Sequence, residues 1–188
     1  MPTPATDLTT LAYVQAYMQD TSTAVSAALP ALISAASVYI EQTCGRDFVS
    51  QSYAHTFNGS GNARLLLRQN PVTAVASVTI CGRAVALSVS AQVPGFRFDQ
   101  YGLWYRGGIF PKTIQEIDVA YTAGYSPIPQ DLQQAVADMC NIKFKRILEA
   151  DKSSLSMLQQ QTNYVASELS PFVKAVISNY QSKLLAPL

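Results

Sequence analysis

The sequence predicts an α+β fold, a helical core with an antiparallel β region inserted into it. Two observations carry this. Apolar residues recur at helical spacing near both ends of the chain, whereas between residues 50 and 121 they alternate with polar ones. The period changes at punctuating residues, first at Gly45 and then at Pro127-Ile128-Pro129.

The elements follow in order. Leu8, Leu11, Val14 and Met18 predict a short first helix, with Thr9 or Thr10 as its cap. A polar break, Asp20-Thr21-Ser22-Thr23, separates it from a main helix over residues 26–43. The stripe of that helix is Leu29, Leu32, Ile33, Ala36 and Ile40, and Pro30 is expected in its first turn, where the missing N–H is harmless. Ala35, Ala36 and the neighbouring serines leave one side thin, so a second helix can approach closely. Gly45 ends the helix, because glycine takes the left-handed conformation beyond a C-cap at little cost.

Tyr53, His55 and Phe57 then alternate with Ser52, Ala54 and Thr56. Asn58-Gly59-Ser60-Gly61-Asn62 reads as a turn, with Leu65 and Leu67 on the return strand of a hairpin. After Pro71, Ala74, Ala76, Val78 and Ile80 line one face of a strand, and Cys81-Gly82-Arg83 turns it into Val85, Leu87 and Val89. Phe96 and Phe98, then Leu103 and Tyr105, mark two short strands; Gly107-Gly108 and Pro111 break the chain. Ile117, Val119 and Tyr121 point inward while Glu116, Asp118 and Ala120 point out. Short strands joined by tight turns imply an antiparallel sheet with one solvated face.

Helical spacing returns with Pro129 at the first position and Asp131 in the first turn, where the helix dipole favours an anion. This helix is expected to reach about Glu149, with Leu132, Val136, Met139, Cys140, Ile147 and Leu148 on its apolar side and Lys143 interrupting them. Residues 150–163 are polar and read as a mobile linker. Ser170-Pro171 opens a last helix with Val173, Val176, Ile177, Tyr180 and Leu184 on one face. The expected organisation is one domain in five stretches. These are N-terminal helices (1–48), the β insertion (49–122), the second long helix (123–149), a polar linker or arm (150–169) and the C-terminal helix (170–188).

Composition limits the function. Charged residues are 13% of the 188, about half the usual share, against 48% hydrophobic. So few solvated groups point to extensive contact with other subunits; a merely neutral, monomeric surface is the other reading. Residues 1–45 hold Asp7, Asp20 and Glu41 and no basic residue. Residues 46–112 hold Arg46, Arg64, Arg68, Arg83, Arg97, Arg106 and Lys112 against Asp47 and Asp99. Head-to-tail packing of like subunits would use that asymmetry; ordinary solvated arginines on strands are the other reading. No Lys or Arg precedes Arg46, so the basic start of a secretory signal is missing. The longest apolar stretch, 27–40, contains Pro30, Ser34 and Ser37 and reads as a buried helix rather than a membrane span. Cys44, Cys81 and Cys140 lie far apart without a CxxC pair, as expected of reduced thiols in a cytoplasmic protein.

The sequence offers little to build catalysis with. His55 is the single histidine, and no HxxE, HxH or cysteine cluster joins it, so it reads as structural. No GxSxG elbow, GxxxxGK[ST] phosphate loop or GxGxxG occurs. Glu116 and Asp118 share a strand face and mimic paired carboxylates, but a solvated outer face explains them more simply. Arg46 near Cys44 and Arg83 near Cys81 are better explained as turn residues beside buried thiols than as activators of a thiolate. Phe96, Phe98, Trp104 and Tyr105 interleave with Arg97 and Arg106, in the manner of single-strand nucleic-acid binders, although a pI near 7.7 argues against that as the main role.

Two stretches are more specific: AASVYIEQTCGRDF at 35–48, and VAYTAGY at 119–125 followed by IPQDLQQA at 128–135. In this order, with a β segment between, they resemble the head–tail connector proteins (adaptor or head-completion proteins) of tailed bacteriophages. Leu8 to Met18 is similar to that family's opening helix, and Ser170 to Tyr180 to its closing one. The resemblance implies two long packed helices forming a connector core. It implies a ring of identical subunits beneath the portal, joined to tail or further connector proteins, with the genome passing through without sequence-specific binding. It implies no enzyme activity and no cofactor; no membrane partner is expected, because the longest apolar stretch is too short and too polar to span a bilayer. Pro30 and the polar segment 150–163 depart from the family pattern. The alternatives are a tail-side completion protein, or a small nucleic-acid-binding protein using the basic β region; a hydrolase using His55 is more distant. The candidate contact residues are Arg64, Arg68, Arg83, Arg97, Trp104 and Arg106.

Overall fold

The computed structural model describes residues 7–19, 23–90, 92–153 and 169–181, with the backbone alone at 23–26 and 147–153. Among them the chain forms α1 (Leu11–Met18), α2 (Thr23–Cys44), β1 (Gln51–Phe57), β2 (Arg64–Leu66), β3 (Val72–Ile80), β4 (Arg83–Val85), β5 (Gly95–Phe98), β6 (Gly102–Arg106), β7 (Ile117–Ala123), α3 (Gln130–Ser153) and α4 (Pro171–Tyr180). The fold is α+β, in two compact units: the helices (Met1–Gly45 with Pro127–Leu188) and the strands (Arg46–Ser126).

In the helical unit, local chemistry sets the helix ends. Thr10 caps α1 by accepting from the Tyr13 N–H at 3.3 Å. Leu8 lies before that cap; its side chain is buried and its N–H donates to Ser37 Oγ on α2 at 3.0 Å. Gly45, at φ 68°, closes α2 and donates back to the Glu41 carbonyl at 2.9 Å. Ser170 Oγ caps α4 by accepting from the Val173 N–H at 3.3 Å, with Pro171 in the first turn.

Pro30 does not sit in the first turn as expected. Thr23 to Val25 extend α2 toward its N-terminus, which leaves Pro30 inside the helix. Its ring lies on the exposed side, where water can serve a carbonyl that loses its helical partner. The Lys143 interruption is absorbed simply, because Lys143 is exposed and Phe144 takes the core position. α3 continues to Ser153, whereas residues 154–168, most of the expected linker, lie outside the described residues, as does Leu184. Leu29, Ile33, Ala36, Ile40 and Cys44 of α2 join Leu132, Ala135, Val136, Met139 and Cys140 of α3 and Val173, Val176 and Ile177 of α4 in the buried set. Asp138 ties three elements at the edge of this core. It accepts from Tyr17 of α1 at 2.5 Å and from Ser170, the cap of α4, at 3.2 Å.

The β unit departs more from expectation. It holds two antiparallel sheets, ordered β1-β7-β3-β4 and β2-β6-β5, rather than one. The expected hairpin between Tyr53–Phe57 and Leu65–Leu67 does not form. β1 pairs with β7, His55 opposite Val119, and β2 pairs with β6, Leu65 opposite Leu103. The glycine-rich turn instead passes the chain from one sheet to the other, held where Gly59 N–H donates to the Thr113 carbonyl and Gly61 N–H to that of Phe110. The expected inward row of β3 is also wrong in part. Bulges between Val72 and Ala74 and between Val75 and Ser77 shift the alternation, so Ala74 and Ala76 are exposed while Val72, Val78 and Ile80 are buried. The Cys81-Gly82 turn into β4 and the inward Ile117, Val119 and Tyr121 are as expected. Leu65, Leu67, Phe96, Leu103 and Phe110 meet Phe57, Val78, Ile80, Ile117 and Tyr121 in one core between the sheets.

Candidate interaction surface

The three-stranded sheet turns one face to the core and one to solvent. Leu65 and Leu103 face in, so their alternates Arg64, Leu66 and Trp104 face out. Register places Trp104 between Arg64 and Arg97, and Leu66 opposite Gly102. A side chain at Gly102 would strike the Leu65 carbonyl oxygen at 2.2 Å, so only glycine lets β2 and β6 approach here. Trp104 and Leu66 remain 44% and 46% exposed. Two large apolar side chains exposed on one face of the sheet make it a candidate contact surface.

Asp99 organises this face. Its Oδ1 accepts from the Tyr101 and Gly102 N–H groups, both at 2.8 Å, fixing the turn between β5 and β6. Its Oδ2 accepts from Trp104 Nε1 at 3.0 Å and pairs with Arg64 at 3.4 Å. Burial pushes the Asp99 carboxyl up, but the bonds from Trp104, Tyr101 and Gly102 and the Arg64 charge together hold it below its ordinary value. The Arg64 guanidinium lies 5.0 Å from the Trp104 ring centre, so the indole is held from two sides. Arg97 donates through Nε to the Ser88 carbonyl at 3.1 Å.

The structure therefore brings Arg64, Arg97 and Trp104 together, with the exposed Arg106 two residues along β6 from Trp104. It does not bring Arg68 and Arg83 to them. Arg68 lies beside the Phe57 ring, 5.8 Å from its centre, and Arg83 starts β4. Leu66, Asp99 and Tyr101 were missed from the sequence. An Asp three residues before a Gly was the available sign for Asp99, while Leu66 was hidden by lying in a run of three leucines.

The other candidates have structural roles. His55 stacks on Tyr53, and its Nδ1 lies 3.0 Å from the Tyr121 hydroxyl. Burial lowers its pKa, and the Arg68 charge adds to that. Asp47 accepts from Tyr53 at 2.8 Å and from Gln51 and Gln69 at 3.2 Å, a network that pins the start of the β unit. Glu116 and Asp118 take separate partners, Cys81 at 3.2 Å and Thr56 at 2.7 Å. The Glu116 bond raises the pKa of exposed Cys81, and burial pushes Cys140 up to about 11, opposite to what a nucleophilic thiolate needs. Among the described residues no group of three His, Cys, Asp or Glu is placed to hold a metal, and no helix is long and apolar enough to cross a membrane.

The fold is similar to a chain in the neck of a native GTA particle computed with C12 symmetry, with a TM-score of 0.61 at 18% identity over 97% of this chain and 92% of that one. A chain in the neck of an empty GTA particle computed with C6 symmetry gives 0.61 at 20% identity over 97% and 93%. A chain in the virion of a native gene transfer agent (GTA) particle gives 0.59 at 18% identity over 97% and 93%. No curated protein matches. The model of the family described as "Head completion protein" matches residues 7–182, nearly the whole chain. The chain belongs to the head completion protein family.

Proposed function

We propose that the chain is a structural subunit of the connector that joins head to tail in a phage-type particle, acting as a ring of identical copies docked on the portal. The observation that carries this is the family match, which spans both units rather than one. The likeness to neck chains adds the fold, and those particles were computed with C12 and C6 symmetry. In this reading the four helices form the connector core and the two sheets an insertion that supplies contacts. The protein would reside at the head–tail junction of the virion, after assembly in the host cytoplasm. The genome would pass through the ring without base-specific contacts. Engagement of Arg64 by Asp99 and of Arg97 by a backbone carbonyl fits that, because both cations are already partnered.

Electron microscopy and light scattering of the purified protein, alone and mixed with the portal protein of its own particle, test the proposal. The expected result is a closed ring, in solution or on the portal. A strict monomer that ignores the portal and pulls down no tail component would overturn it. Binding to tail components alone would move the docking site to the tail side.

A further inference from the structure

Among the exposed apolar side chains of the described residues, two groups lie on regular elements and differ in shape and in the charge around them. One is the Trp104–Leu66 pair on the three-stranded sheet. Around it lie Arg64, Arg97 and Arg106 with one acid, Asp99, which pairs with Arg64. The other is on α2. Ala31, Ala35, Val38 and Tyr39 fall at i, i+4, i+7 and i+8, which places them on one stripe, and all four are exposed. Val38 and Tyr39 are 41% and 42% exposed, and the alanines before them leave a shallow step. Asp7, exposed, accepts from Ser34 beside this stripe at 2.8 Å, Glu41 is buried, and no basic residue precedes Arg46 in the sequence.

We infer that these faces dock on one another between neighbouring copies, with the Trp104 indole of one seated on the Ala31–Ala35 step of the next, against Val38 and Tyr39. The inference rests on the ring proposed above and names its contact. Three points select this occupant. A flat, rigid indole braced by Asp99 and Arg64 loses little freedom on burial, and Trp and Arg are the residues most enriched at the energetic centres of interfaces. The Trp104 face would not pair with itself, since that would bring two arginine-rich surfaces together. Finally, both faces lie on the same chain and differ, so one contact type repeats head to tail, which is the arrangement that closes rings. A nucleic acid is a poorer occupant, because two of the arginines nearest Trp104 are partnered within the chain.

The test uses full-length Trp104→Glu and Val38→Lys, each opposing the charge of the face it would meet. Both sites are exposed, so both variants are expected to keep the wild-type fold by circular dichroism, with Trp104→Glu melting at a lower temperature because it loses its bond to Asp99. Alone, or on the portal, each is expected to lose ring formation. Mixed in equal amounts they retain one good face each, and native mass spectrometry should show a 1:1 dimer that grows no further. A photo-cross-linking residue at position 104 of the otherwise native chain should capture residues 31–39 of another copy. Folded variants that still form rings, a mixture that yields no dimer, or cross-links confined to portal or DNA would overturn the docking while leaving the ring in place. A wild-type chain that neither self-assembles nor binds the portal overturns the ring and the docking together.

Discussion

Tyr17 donates its hydroxyl hydrogen to Asp138 at 2.5 Å, joining α1 to α3 across 121 residues of sequence. The bond to Asp138, with burial second, raises the Tyr17 pKa from 10.0 to about 12. A raised folded pKa means that this stabilisation is whole below pH 10 and is lost as pH rises toward 12. Tyr17→Phe is expected to cost about 0.5 kcal/mol at neutral pH, the low end for a hydrogen bond, because the ring is over a third exposed. Denaturant melts at pH 8 and pH 11 check it: the gap between wild type and variant should narrow at the higher pH. A residual alkaline loss should persist in both, since burial and Asp47 also raise the Tyr53 pKa. A gap that stays constant with pH would show that the bond to Asp138 does not stabilise the unit.

Gly59 and Gly61 share one turn but should respond differently to alanine. A Cβ on Gly59 would lie 1.7 Å from the Pro111 carbonyl oxygen, which is backbone and cannot swing away. At Gly61 nothing lies within 4 Å, and only its φ of +80° resists a side chain. Gly61→Ala is expected to cost roughly 1–2 kcal/mol, the left-handed penalty. Gly59→Ala should cost at least the upper part of the roughly 1–3 kcal/mol overpacking range. Equal effects in chemical denaturation would contradict the close packing of this turn on the 110–113 segment.

That turn also shows where sequence reasoning reaches its limit. Asn58 to Asn62 carries hairpin chemistry, and alternating strands flank it, so a local hairpin was the natural reading. Alternation tells which side of a strand faces the core, not which strand lies beside it. The partner of Phe57 is Ile117, sixty residues away, and only the closing of two sheets on one core selects it. The bulges of β3 have the same character, since Ala74 and Ala76 keep an alternating pattern that the backbone shifts out of phase. The helical unit was more legible because its signals are local: Gly45 as a stop, Ser170-Pro171 as a start, and stripes repeating within one element. Trp104 and its arginines were visible as candidates. Their convergence with Leu66 and Asp99 was not, because it depends on the register between β2 and β6.

His55 makes the β unit sensitive to acid. Its pKa is lowered from 6.5 by burial and by Arg68, with Asp47 opposing. A lowered folded pKa means the stabilisation is present above pH 6.5 and is lost as pH falls below it, because the unfolded chain takes up the proton more readily. Protonation would also put a donor on the ring nitrogen that faces the Tyr121 hydroxyl, which already accepts from the Gln69 N–H. His55→Gln is expected to be less stable at neutral pH, through lost ring contacts with Tyr53 and Phe57, but flatter between pH 7 and pH 5. Thermal melts over that interval decide it. An unchanged slope in the variant would assign the acid sensitivity to other groups.

Cys81 should be the first thiol to react, and slowly. It is exposed at a left-handed turn position, whereas Cys44 and Cys140 are buried. Its bond to Glu116, helped by slight burial and by the carboxylate's charge, raises its pKa against the smaller opposing effect of Arg83. Because the thiolate is the reacting species, Glu116→Gln should speed alkylation at pH 8 several-fold, without exposing the other two cysteines. Mass spectrometry of native protein treated with iodoacetamide should then show one adduct, faster in the variant, and further adducts only after denaturation. Early modification of Cys140, whose pKa burial pushes to about 11, would mean that α3 opens at neutral pH and that its packing against α2 is weaker than the buried core implies.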